Sequence, residues 1–351
     1  MSINVQLLSE ICKTPGAPGF EQRIREVILR EVTPLVDEIK VDNIGNVIAI
    51  KKGKDSSKTA MVTGHMDEIG FIVNYIDDKG FIRFLPLGGF DPKTLTAQRV
   101  IVHGKKDVIG VMGSKPIHLM TPDERGKPLR LKDYFIDTGL AKEEVKDLIE
   151  IGNPITRERE LIEMGNCINC KSLDNRLAVF TLIELLREYK GTPPYDLYTV
   201  FTVQEEVGIR GAIVAGLTHS PDFVINIDVT IAFDGPDGKP EDMVTALGKG
   251  TAIKMLDSSV ICDYRMVDYM KKTARKNKID WQPELLPAGG TDTAGVQRYH
   301  TRGGAIAGAL SIPTRNVHQV IEMAHKDDIR GTIDLLKASI EDLTTYDWSF
   351  K

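Results

Sequence analysis

Three short apolar runs in this chain end abruptly in acid or imidazole, and that pattern most constrains how it can fold. Thr59 to Thr63, around Met61 and Val62, runs into Gly64-His65-Met66-Asp67-Glu68. Leu197 to Val203 runs into Gln204-Glu205-Glu206, and Asp222 to Ile227 ends at Asp228. Short continuous apolar runs read as strands buried on both faces, the habit of parallel sheets. The carboxyl ends of parallel strands share one edge, and open α/β sheets bind ligands there. The expected fold class is therefore α/β, a mixed sheet layered between helices.

The texture changes partway along. Phe20, Ile24, Val27 and Ile28 share one face of a helix that begins after Pro18-Gly19, and Asn46 to Lys51 reads as a strand. From Gly70 to Met120 short β-rich pieces alternate with turn signals such as Asp77-Asp78-Lys79-Gly80 and Gly88-Gly89. Phe81 to Leu85 and Arg99 to His103 read as strands of a small barrel or sandwich, with a helix expected over Glu143 to Ile151. The α/β pattern resumes with an amphipathic helix after Asp174 (Leu177, Phe180, Leu182, Ile183, Leu186). A Gly-rich turn follows at Ala288 to Asp292, then a strand from Gly303 to Leu310. The last helix carries Ile333, Leu336, Ile340 and Leu343. Residues 1–69 and 166–351 are thus expected to form the main domain, and 70–165 an inserted small β-barrel-like domain.

Composition narrows the function classes. The net charge is -5, with both signs interspersed, so no basic stripe is available for nucleic acid. No apolar run approaches the roughly 20 residues that span a bilayer. Met1 to Lys13 lacks the charged and apolar regions of a secretory signal. Four scattered cysteines suit reduced thiols better than a disulfide scaffold. The expectation is a cytoplasmic protein with neither nucleic-acid nor membrane partners.

His65, Glu206 and Asp228 fall at strand ends, Asp174 at the start of a helix, and His318 after the loop Ile312 to Val317. Two imidazoles and three carboxylates suit two borderline divalent cations such as zinc, cobalt or manganese. Taken singly, each has a plainer reading. Asp174 also reads as a helix cap, His318 as a structural histidine, Asp67 and Glu68 as solvated loop carboxylates, and Glu205-Glu206 as surface charge. Repeated strand ends in acid favour a bound cation. Cys167-Ile168-Asn169-Cys170 is half of a zinc motif with no second half downstream. His103, His118, His219, His300 and His325 show no carboxylate partner pattern and read as structural.

Five stretches resemble one known family. They are Gly64 to Phe71, Ser172-Leu173-Asp174-Asn175-Arg176, Val200 to Gly208, Asn226-Ile227-Asp228-Val229-Thr230 and Gly289-Gly290-Thr291-Asp292. The resemblance is to the tetrahedral (TET-type) dinuclear metallo-aminopeptidases, which include glutamyl and deblocking aminopeptidases; some members are labelled cellulase or endoglucanase. It spans essentially the whole chain, and implies a two-metal aminopeptidase acting on short peptides. Asp174 would bridge the two divalent metal ions, His65 and Asp228 complete one ligand set, and Glu206 and His318 the other. Asp67 would fix the His65 tautomer. Glu205 would be the general base, moving a proton from a metal-bridging water to the leaving amine. Gly289 and Gly290 would line the substrate pocket. Homo-oligomers building from dimers to dodecamers are implied, with the insert serving assembly.

The chain departs from that family at three places. Gln319 stands where Ser usually follows the second histidine, Ala178 where Gly is common, and Gly64 where Ala is frequent. Rival readings are a related metal-dependent deacylase or carboxypeptidase, an endoglucanase, and an inactive peptide-binding scaffold.

Overall fold

The apolar runs condense into an eleven-stranded mixed sheet and a six-stranded closed barrel. The computed structural model describes residues 3–236 and 238–350; residues 1, 2 and 351, at the ends of the expected main domain, and Asp237 lie outside the described residues. In chain order, β1 (Glu38–Val41), β2 (Val47–Lys51) and β3 (Asp55–His65) come first. The barrel takes β4 (Gly70–Ile76), β5 (Ile82–Leu87), β6 (Arg99–His103), β7 (Asp107–Gly113), β8 (Phe135–Asp137) and β9 (Pro154–Arg157). The sheet then adds β10 (Ile162–Met164), β11 (Cys167–Cys170), β12 (Tyr195–Thr202) and β13 (Phe223–Ile231). It finishes with β14 (Thr251–Leu256), β15 (Trp281–Leu285), β16 (Ile306–Arg315) and β17 (Glu322–His325).

The sheet runs β1-β2-β12-β3-β13-β16-β17-β11-β10, with β14 pairing both β16 and β15. Ile162–Met164, the end of the expected insert, thus pairs in the large sheet. The centre is parallel: β3 lies between β12 and β13, and β13 pairs β16. These are the strands that the unbroken apolar runs anticipate, since strands buried on both faces have no polar side to show. The barrel closes in the order β4-β5-β8-β7-β6-β9 around Phe71, Val100, Val102, Ile136 and Ile155. Closure removes the exposed strand edges that such short strands would otherwise present. Among the described residues, no helix is long and apolar enough to cross a membrane.

Three expectations need correcting. Asp228 does not end its strand, because β13 continues to Ile231 beside β16. Its pairing with β3 stops at Asn226, so a missing neighbour opens space around Asp228. Likewise β16 runs from Ile306 to Arg315, through Pro313 rather than stopping at Leu310. Proline is tolerated there because β14 leaves β16 at Ser311 and β17 joins only at Thr314. Finally, the helix Leu173–Glu188 is buried nearly all round instead of amphipathic. It is sandwiched between the sheet and the helices Val5–Lys13, Gln22–Val32 and Lys326–Glu341. Arg176, fully buried on it, donates to the carbonyls of Ile11 (2.7 Å) and Thr14 (2.9 Å). It thereby satisfies carbonyls left over where the first helix ends.

Two of the family departures explain each other. A Cβ placed on Gly64 would lie 2.6 Å from the Ala178 Cβ, in the contact between β3 and the buried helix. One methyl group fits there, and this chain carries it on the helix. Gly64→Ala alone is expected to cost about 1–3 kcal/mol by overpacking. Combined with Ala178→Gly, it should recover most of that loss, with a coupling energy of about 0.5–3 kcal/mol. Urea unfolding of the four proteins tests this; losses that simply add would refute the shared-methyl account.

Candidate metal centre

Asp67, Asp174, Glu205, Glu206, Asp228 and Asp292 converge with His65 and His318 around the ends of β3 and β12. His65, the last residue of β3, places Nε2 3.2 Å from Asp174 Oδ1 and 3.9 Å from Asp228 Oδ1. Glu205 Oε2 lies 3.8 Å from the same nitrogen. His318 Nε2 lies 3.3 Å from Asp174 Oδ2 and 3.4 Å from Glu206 Oε2. The two oxygens of Asp174 therefore face different imidazoles. Two overlapping donor groups result, His65/Asp174/Asp228 and Asp174/Glu206/His318, with the donor atoms of each within 4.8 Å of one another.

The order of the two glutamates has a local cause. Neighbours on a strand point to opposite faces, but β12 ends at Thr202 and Gln204 takes φ +56°. That bend carries both carboxylates inward. Asp67 then holds them, accepting the Glu205 N–H on Oδ1 and the Glu206 N–H on Oδ2, each at 3.1 Å. It also faces His65 Nδ1, 3.2 Å from the Asp67 carbonyl and 3.3 Å from Oδ1. His318 Nδ1 lies 3.0 Å from the Gly89 carbonyl, on the barrel side. A ring N–H given to such an acceptor leaves Nε2 as the free lone pair.

Burial and crowding set the electrostatics. Burial pushes Asp228 and Glu206 up to about 8, and the charge of Asp174 adds to both. Burial likewise holds Glu205 well above the ordinary carboxylate range, although His65 opposes it. Asp174 goes the other way: hydrogen bonds from His318 and His65 outweigh its burial and hold it low. His318 is raised to about 9, because Asp174 and Glu206 overcome its desolvation. Glu206 Oε1 is buried with no hydrogen-bond partner. The unpaired Glu206 oxygen, two imidazoles and an excess of buried acids over bases together fit divalent cations, whose binding takes carboxylates in their ionised form.

Residues around this centre were hidden from the sequence reading. Glu322, fully buried on β17, accepts the Asp174 N–H on Oε2 (3.1 Å) and the His318 N–H on Oε1 (2.8 Å). Glu68 is fully buried rather than solvated. It pairs with Lys171 Nζ at 2.6 Å and Arg176 Nη2 at 3.6 Å, and accepts a short bond from Ser172. A legible signal existed, since Lys171 and Arg176 flank Asp174 within an apolar context. Asp292 accepts a short bond from Thr202. His103 has a carboxylate partner after all, Asp107 at 2.8 Å, because the two face each other across β6 and β7. His325 similarly lies 3.7 Å from Asp327. Neither histidine belongs to the donor groups, nor do Cys167 and Cys170.

The centre opens on a cavity of about 650 Å³. Gly289 and Gly290 line it with Ile209, Leu286 and Val317, and the barrel side supplies Gly89, Phe90 and Asp91. Gly289 has φ +74°, a left-handed conformation that favours glycine. Gln319 is absent from this wall among the described residues.

The sequence profile of the M42 glutamyl aminopeptidase family matches residues 45–335. The lysyl aminopeptidase of Pyrococcus furiosus is 34% identical over 99% of both chains. The TET aminopeptidase of the marine sediment archaeon Thaumarchaeota archaeon SCGC AB-539-E09 superimposes with a TM-score of 0.93 at 33% identity, over 97% of this chain and 96% of that one. The Pyrococcus horikoshii TET1 peptidase, which can assemble into a tetrahedron or a large octahedral shell, gives 0.85 at 30% identity, over 96% and 98%.

The Glu68 cluster yields a pH prediction. Burial raises the Glu68 carboxyl, but Lys171 and Arg176 outweigh it and hold it below its ordinary 4.5. Its stabilisation is therefore present above that value and lost as pH falls through the lower folded value. Glu68→Gln should cost about 3–5 kcal/mol at neutral pH by stranding buried cations. In urea unfolding across pH, the gap from the unmodified protein should close below pH 4.5. A constant gap would remove the ion pair from the account.

Proposed function

The chain belongs to the M42 glutamyl aminopeptidase family and is a peptide hydrolase; we propose that it removes N-terminal residues from short peptides using two divalent cations, zinc, cobalt or manganese. One observation carries this reading: two donor groups share Asp174, with Glu205 beside them on the wall of one cavity. His65 and Asp228 would hold one cation and Glu206 and His318 the other, with Asp174 common to both. Cations held by these residues would supply a lowered water pKa and polarisation of the scissile carbonyl.

The chain's own residues do the rest. Glu205 would take a proton from the attacking water and return it to the leaving amine, its carboxylate standing 3.8 Å from His65 Nε2 on the cavity wall. Asp67 keeps both glutamates and the His65 ring in place. Gly289 and Gly290 would let the substrate backbone lie close to the wall, with the free α-amine held near the cations. The requirement for that amine separates this reading from a deacylase or carboxypeptidase on the same scaffold. An endoglucanase needs a carboxylate pair flanking a glycosidic oxygen and has no use for the two histidines. The complete donor set and Glu205 argue against an inactive scaffold.

Residues 70–165 are proposed as an assembly module for homo-oligomers that build from dimers to dodecamers. The barrel exposes Leu85, Ile109 and Val111, apolar side chains that a partner subunit would cover. A cytoplasmic location fits the four unpaired cysteines.

Glu205→Gln should lower hydrolysis of an aminoacyl-amide panel by about 10²–10⁴-fold while elemental analysis still finds two cations per chain. Full activity in that variant would sink the base assignment. Asp174→Ala should lose cations and activity together, and unchanged stoichiometry would dismiss its bridging role. N-acetylated peptides should resist cleavage; their hydrolysis would favour the deacylase.

A further inference from the structure

Among the described residues, Glu322 is the one buried carboxylate whose two oxygens each hold the backbone of a different donor residue. We propose that Glu322 is a positioning residue for the cation site made by Asp174, Glu206 and His318, and that it acts less on the site made by His65, Asp174 and Asp228, of which it holds Asp174 alone. The inference rests on the dinuclear reading above.

The donors differ in what fixes them. His65 ends β3 and Asp228 lies within β13, so the parallel ladder sets both. Asp67 steadies the His65 ring and the backbone of Glu206. His318 has no such frame. It follows β16 in a loop and takes φ +65°, a conformation that side-chain-bearing residues rarely adopt. What holds its backbone is a charge-assisted bond from its N–H to Glu322 Oε1 at 2.8 Å. On the other side, Arg157 Nη1 donates to its carbonyl at 3.2 Å. The second oxygen of Glu322 accepts the Asp174 N–H at 3.1 Å.

Glu322 can make both bonds because it stands opposite Cys170, four residues before Asp174, in the antiparallel pairing of β17 with β11. Its backbone carbonyl also accepts from the Asn169 amide at 3.0 Å, which anchors the residue. One carboxylate thus fixes the spacing of two donors that are far apart in sequence. Glutamine keeps the shape but has only one acceptor oxygen, so its NH₂ would oppose one of the two N–H groups.

The test is a cobalt(II) titration of the metal-free full chain, read by visible absorption and by elemental stoichiometry. The unmodified protein should take two cations. Glu322→Gln should keep the first and weaken the second about 10–100-fold. Its cobalt spectrum should match that of His318→Ala rather than His65→Ala. Glu322→Asp, which retains both acceptor oxygens on a shorter arm, should weaken the same step less, and serves if the glutamine variant does not fold. Two cations bound with undiminished affinity, or equal weakening of both, would overturn the proposal for Glu322. Fewer than two in the unmodified protein would instead overturn the dinuclear reading from which it starts.

Discussion

Holding a crowd of carboxylates inside a folded chain is the constraint on which the rest of this structure depends. A buried ionised acid is costly unless hydrogen bonds or opposite charge compensate it. The chain compensates in three ways. Asp67 and Glu322 spend their oxygens on backbone N–H groups. Glu68 is matched by Lys171 and Arg176, and on the far side of the cavity Lys254 serves Glu284 at 2.5 Å and Asp257 at 3.3 Å. Asp174 and Glu206 face two imidazoles and the other acids with no side-chain cation of their own, and Asp228 adds only the Val229 N–H at 2.8 Å. Those three are the acids that the proposed cations would share, so the pattern of compensation separates support from ligand.

The same logic explains why the supports sit so close to the ligands in sequence. Asp67 and Glu68 follow His65 by two and three residues, and Lys171 and Arg176 bracket Asp174. The turns that carry His65 and Asp174 thus bring their own stabilising charges. Joining the Glu68 turn to the Lys171 turn also joins the end of β3 to the start of the buried helix. Arg176 extends that link to the first helix of the chain. Site and core are therefore one packed unit, and the shared methyl between Gly64 and Ala178 lies within the same junction.

The sequence made the parallel centre legible because strands covered on both faces must be apolar along their whole length. His65 and the Glu205-Glu206 pair were readable for the same reason, as polar residues at the end of such runs. What stayed hidden depends on register between distant segments. Asp228 looks like a strand end until one knows that β3 stops pairing at Asn226. Pro313 looks like a loop until the gap between β14 and β17 is placed beside it. Glu322 carries no local signature at all, since its role comes from pairing with β11. The helix after Asp174 showed apolar positions on one face, but covering helices bury its remaining faces too.

The barrel is more than an appendage to this arrangement. Gly89 accepts from the His318 ring, and Arg157, at the end of β9, donates to the His318 carbonyl. At a second junction Arg23 on the helix Gln22–Val32 pairs bidentately with Asp107 on β7, at 2.6 and 2.7 Å. His318 is thus held by Glu322 from the sheet and by two groups from the barrel, in a backbone conformation that neither loop sequence nor strand ladder would impose. Any displacement of the barrel relative to the sheet must move the His318 ring or break its bond to Gly89. A partner subunit that held the barrel in the proposed assembly would therefore hold the His318 ring with it, through the Gly89 carbonyl.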